Sequence, residues 1–153
     1  MKDFIIFPPN TINQYLEKLN QDTVALWGTM SAQHMLEHLL LVLEISRGKF
    51  EVSIITPIEK VEKVKRIFLL GDSPLKKDFN APFLPEGLQP LLFGSIEEAK
   101  KGLLLEVETY LHFWQNNPQS KFSHPVFGVL SANEWHLFHR KHFTHHFNQF
   151  GLL

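Results

Sequence analysis

The stretch "HRKHFTHHFNQFG", residues 139–151, carries four histidines (His139, His142, His145 and His146) of the nine in the chain. Imidazole titrates near neutral pH and is the commonest nitrogen ligand for transition metals. The four are interleaved with Phe, Arg, Lys and Gln, unlike the unbroken run of a purification tag. At about 100° per residue, Trp135, Phe138, His142, His146 and Gln149 fall on one helical stripe. His139 and His145 flank it, and Arg140, Thr144 and Phe147 fall on the far side. His142 and His146 are one turn apart on the same face, the spacing with which two imidazoles converge on one ion.

Two ligands rarely suffice, so a third is expected from another helix. His38 in "MLEHLLLVLE" shares a stripe with Ser31, Met35, Val42 and Ile45, the apolar side of its segment. A buried imidazole without a partner costs roughly 1–3 kcal/mol, so His38 needs one. A lone histidine on an apolar face is more often a hydrogen-bonded core residue than a ligand. Histidines from two helices aimed at one core favour a metal site, because bundle cores commonly house them. His38, His142 and His146 are therefore the candidate ligands, and His34, four residues before His38, is an additional ligand or a rim residue.

A divalent ion held by three imidazoles keeps positions open for a water or a thiol and lowers its pKa. Imidazole suits zinc, nickel, copper and iron alike. His34, His145 and Gln149 are candidates for hydrogen bonding in such a pocket. His112, His124 and His136 read as structural or surface residues, and Trp27, Trp114 and Trp135 as core anchors. Glu37 and Glu134 could support the ligands, although helix solubility and capping explain them equally well.

The elements that must position these residues are mostly helical. "NTINQYLEKLN" (10–20) reads as a first helix and Ser31 as the N-cap of a second running to residue 47. Ser95 with Glu98, and Ser131 with Glu134, have capping-box spacing and open helices over 95–117 and 131–150. "PIEKVEKVKRIFLL" can form a shorter helix opened by Pro57. "GDSPLKKDFNAPFLPEGLQPLLFG" (71–94) holds four of the nine prolines and reads as a long loop covering the pocket or a subunit contact. "FEVSII" is the one respectable strand pattern, with nothing evident to pair with, and "HPVFGVL" reads as a turn-rich connector. The expected fold is an all-α four-helix bundle, with a long-loop and short-helix insertion between the second and third main helices.

A chain of 153 residues is expected to form one domain over 1–153. Fifteen basic residues against sixteen acidic, with no basic block, argue against nucleic acid as a partner. The absence of cysteine removes disulfides, thiolate ligands and cysteine nucleophiles, and fits a reducing cytoplasm. Pro8 and Pro9 cut the first apolar run well short of a signal peptide. No later run reaches the roughly 20 residues that span a bilayer, so a soluble cytoplasmic protein without membrane contact is expected.

"LWGTMSAQHMLEHL" resembles the second-helix signature of the DinB/YfiT-like superfamily of metal-binding bundles. "HPVFGVLSANEWHLFHRKHFTHHFNQFG" is similar to the C-terminal signature of one branch of it, long catalogued as a domain of unknown function. The superfamily's metal triad is one histidine from the second helix and an HxxxH pair from the last. The resemblance carries these onto His38, His142 and His146. It implies a divalent-metal enzyme, with thiol (S-)transferase or hydrolase chemistry on a small molecule such as a low-molecular-weight thiol. A non-catalytic metal-binding or interaction protein that forms a homodimer is the alternative, and a histidine-based pH switch a third.

Overall fold

The structure, a computed structural model, describes residues 9–77 and 88–153. Its helices are α1 (Pro9–Leu16), α2 (Ala32–Ser46), α3 (Ile58–Val64), α4 (Ile96–Asn116) and α5 (Ala132–Gln149). α3 runs directly into a π-helical turn, Lys65–Leu69. Between α4 and α5, β1 (Phe122–His124) and β2 (Gly128–Leu130) pair antiparallel, with Phe122 opposite Leu130 and His124 opposite Gly128.

The expected all-α four-helix bundle is thus corrected: five helices stand among the described residues, and a small two-stranded sheet joins two of them. The hairpin lies in the segment that reads as a connector. Backbone N–H groups of Val126 and Phe127 donate to His124 Nδ1 at 3.1 and 3.3 Å, so one side chain closes the turn. Gly128 takes φ +74°, where a Cβ would lie 2.6 Å from Val61 Cγ1. Strands of three residues are too short to print an alternating pattern. "FEVSII" has the pattern but forms no strand; Ile55 N donates instead to Pro125 O at 2.8 Å.

Caps set the helix starts. Ser31 Oγ accepts from His34 N at 3.2 Å at the head of α2. At α5, Ser131 and Glu134 form the reciprocal capping box their spacing predicts. At α4 only half of one forms: Ser95 Oγ accepts from Glu98 N, while the Glu98 carboxylate accepts from Gly94 N. α3 follows Pro57, which sits at the N-cap position. The 10–20 reading overshoots α1, which ends at Leu16.

The core draws on every main helix. Ile12 and Leu16 of α1, Leu36, Leu39 and Leu43 of α2, Leu103 and Val107 of α4, and Phe143 and Phe147 of α5 are all buried. α2 packs along α4 and also against α5, which brings His38 towards the last helix. Arg47 just beyond α2 grips Glu106 of α4 with two hydrogen bonds, 2.6 and 3.2 Å. α5 is buried nearly all round, which corrects the expectation of a far side: Thr144 and Phe147 are buried there too.

A charged residue in the middle of a buried helix needs a reason, and Lys141 has one. Its Nζ donates to the backbone carbonyls of Phe68, Gly71 and Ser73, where the π-helical turn ends. Helix ends leave carbonyls without internal partners, and the ammonium supplies the missing donors. That contact ties the segment 71–77 to α5. Of the long loop, residues 78–87, Leu84 among them, lie outside the described residues. Leu88, Leu91 and Leu92 are exposed. Among the described residues no helix is long and apolar enough to cross a membrane.

Candidate metal centre

α2 delivers His38 and α5 delivers His142 and His146 to one point. His38 Nε2 lies 2.9 Å from His142 Nε2, and His146 Nε2 lies 3.1 Å from the same atom. The three ligand atoms all fall within 4.8 Å of one another. Two of the rings come from the HxxxH pair on consecutive turns. The third arrives because α2 packs on α5. The rings meet edge to face, with centroids 4.7–5.0 Å apart.

Apolar packing seals this group; His38 is 9% exposed and His142 and His146 are each 7% exposed. Burial disfavours the charged form of an imidazole. It is the main reason His38 is held down at about 4, with the nearby His145 adding to it. Burial likewise takes His142 and His146 well below the ordinary histidine value, aided by the neighbouring imidazoles. At neutral pH all three are free bases, the form that donates a lone pair to a metal.

Two of the three donor separations, those to His142 Nε2, pass a geometric test, and the third pair, His38 and His146, stands within 4.8 Å. Three nitrogens about 2.0–2.1 Å from a tetrahedral zinc stand about 3.3 Å from one another. The 2.9 and 3.1 Å separations need to open by only a few tenths of an ångström. His142 is further fixed by Phe138, stacked on it at 5.0 Å with planes 24° apart. The Nδ1 atoms of His38 and His142 are buried and meet no hydrogen-bond partner among the described residues.

Around the triad, the sequence-derived pocket candidates separate. Gln149 reaches it: Gln149 Oε1 is 2.7 Å from His146 Nδ1, and Gln149 Nε2 donates to Trp27 O at 2.9 Å. His145 sits at the margin, its ring edge-on to Trp27 at 5.9 Å and in contact with the His146 ring at 5.0 Å. Its pKa is lowered by burial, opposed by a hydrogen bond to the Leu75 backbone. His34 does not reach: its Nε2 turns to Gln89 O at 2.8 Å and its Nδ1 to Ser31 Oγ at 2.6 Å.

Glu37 is no support for a ligand either. Its carboxylate accepts from the backbone N–H of Leu92 and Phe93 at 2.7 and 3.1 Å, tying down the chain before α4. Glu134 completes the α5 cap and pairs with Lys65 at 3.2 Å. His136 bonds Tyr110 across to α4, and His112 bonds Asn116 one turn on within α4.

Trp27 is the site residue that sequence reasoning misplaced. Trp114 and Trp135 are the expected core anchors, but Trp27 is half-buried beside the triad, with Lys77 Nζ 4.4 Å over its ring. Nothing in its local sequence signals this, because the link to Gln149 spans 122 positions. A cavity of about 300 Å³ is lined by Val64, Phe68, Leu75, Val126 and Phe127 among others, and by none of the three histidines. Phe127 on its wall meets Phe138, the ring that stacks on His142.

His38, His142 and His146 thus form a group that could hold a metal ion. Comparison of the chain with family models, with curated proteins and with solved structures finds no match.

Proposed function

We propose that His38, His142 and His146 hold one divalent cation (zinc, nickel or iron) and that the chain is a metal-dependent enzyme acting on a small molecule. The observation that carries this reading is the convergence of three buried, neutral imidazole nitrogens from two helices. Such a cation, when bound, acts as a Lewis acid that lowers the pKa of a water or thiol beside it.

The chain's own residues supply the rest of the setting. Apolar packing keeps the three imidazoles deprotonated and excludes bulk water. Three protein ligands, rather than four, leave room for a reactant, as catalytic sites do. The cavity of about 300 Å³, whose wall residue Phe127 meets Phe138 behind His142, has the size of a small-molecule site. With no cysteine in the chain, a thiol nucleophile has to arrive as a substrate, which favours a low-molecular-weight thiol and a reducing cytoplasm. Thiol transfer and hydrolysis are the two reaction types this setting serves. The proposed ligands are the residues onto which the resemblance to the DinB/YfiT-like superfamily carries its metal triad.

Exposed Leu88, Leu91 and Leu92 favour a second reading, in which the same metal site sits in a non-catalytic protein that dimerises across this segment. One experiment separates the two. Elemental analysis of the purified chain before and after chelation should give about one divalent ion per chain. A thiol-transfer and hydrolysis screen of the loaded and stripped forms follows. Turnover lost on chelation and restored by metal supports the enzyme. Stoichiometric metal without turnover, with a dimer in sedimentation, supports the second reading. A chain that binds no divalent ion contradicts both.

A further inference from the structure

Of the three candidate ligands, only His146 has a side-chain hydrogen bond behind it among the described residues. Its Nδ1 lies 2.7 Å from Gln149 Oε1, and the orientation of that amide is not free. Gln149 Nε2 is 2.9 Å from Trp27 O, a backbone carbonyl that can only accept. The NH₂ end of the amide must therefore face Trp27, which leaves the carbonyl end facing His146. A carbonyl oxygen can only accept, so His146 Nδ1 has to carry the proton. In a neutral imidazole the lone pair then sits on Nε2, the atom turned toward His142 and His38.

The backbone holds this arrangement from both sides. Leu26 N donates to Gln149 O at 2.7 Å, so the loop before α2 and the end of α5 are clamped together. Between them lies Gly28, with φ +79°. A Cβ built there would stand 2.9 Å from Gln149 Nε2 and little else. The space a side chain would fill is the space the amide occupies, and the left-handed φ makes any other residue costly as well.

We infer that Gln149 is a positioning residue that locks His146 in the Nδ1–H tautomer, and that Gly28 is the residue whose missing side chain lets it do so. The inference about the tautomer stands on the hydrogen-bond geometry alone. Its consequence for metal affinity rests on the proposed metal centre. Partners of this kind orient a ligating histidine and raise its basicity, and their loss weakens metal binding by roughly 10- to 100-fold.

The test is long-range ¹H–¹⁵N NMR of the histidine rings in the stripped full-length protein, with zinc affinity measured by chelator competition. In the parent chain His146 should show a protonated Nδ1 and a bare Nε2. Gln149→Leu should give a mixture of tautomers and weaken zinc binding by about 10- to 100-fold, with the helical circular dichroism unchanged. Gln149→Glu keeps an acceptor for Nδ1–H and should keep the tautomer, which separates positioning from simple packing. Gly28→Ala, with Gln149 intact, should reproduce the loss. His146 protonated on Nε2 in the parent chain overturns the inference. So does Gln149→Leu with an unchanged tautomer. If Gln149→Leu does not fold, the parent and Gln149→Glu spectra still decide it. A parent chain with the expected tautomer but no zinc affinity would leave this inference standing and remove the metal centre.

Discussion

At the scale of single residues, burial is what makes the triad usable, and it has a cost elsewhere in the chain. His124 shows that cost most clearly, because it is buried and lies away from the triad. Its Nδ1 accepts two backbone N–H groups at the hairpin turn, and burial pushes its pKa down to about 3. The unfolded chain takes up a proton at this residue near pH 6.5, while the folded chain resists until about 3. The unfolded state therefore binds more protons in that window, and stability falls as pH falls below 6.5. His124 contributes a loss of about 1.4 kcal/mol per pH unit there, and nothing above neutrality. His124→Asn retains an oxygen acceptor for the turn but does not titrate. Urea unfolding between pH 6.5 and 5 should show the variant's stability falling less steeply by about that amount. Equal slopes in the two proteins would contradict the account.

The triad itself was legible because its signal is local and periodic: two histidines four apart, and one on an otherwise aliphatic stripe. What was hidden depends on contacts between distant positions. Trp27 beside the site follows from how the loop before α2 packs on the end of α5, and His34 is turned away by its bond to Gln89 in the segment before α4. His124, read as structural or surface, is buried and structural, but its role in closing a turn is visible only once the chain around it is folded.

At the scale of elements, caps and breaks read well and short strands did not. Ser31, Ser95 and Ser131 each start a helix within one residue of the expected place, because a hydroxyl accepting from N3 is a local event. The hairpin escaped notice because three-residue strands leave no period to read, and the turn is closed by a histidine rather than by an Asn-Gly pair. Lys141 was equally opaque, a charge in a helix that would ordinarily be assigned to solvent. It is 1% exposed, and it satisfies carbonyls at the end of the π-helical turn. Lys141→Met keeps most of the volume and removes the donor, leaving those carbonyls without it. The expected loss is about 1–3 kcal/mol, or roughly 2–10 °C in melting temperature. Protease should also cut the 71–77 segment faster. A variant as stable and as protease-resistant as the parent would show that the contact does no structural work.

For the whole molecule, the question is whether the chain folds around the metal or folds first and then binds it. The core of α1, α2, α4 and α5 is built from Leu, Ile, Val and aromatic residues that do not depend on the triad. A chain of 153 residues buries enough of this surface to fold without a metal staple. After exhaustive chelation the protein should keep its helical circular dichroism and unfold in one cooperative transition. A stripped chain without such a transition would make the ion structural, its binding free energy being folding free energy.

The central claim is that one divalent ion sits among three named side chains. Anomalous diffraction from crystals of the metal-loaded protein, recorded on both sides of the metal's absorption edge, tests it most directly. The expected result is a single strong peak about 2.0–2.1 Å from Nε2 of each of His38, His142 and His146. A peak bound by other residues, or none at the triad in protein shown to carry stoichiometric metal, would contradict the account.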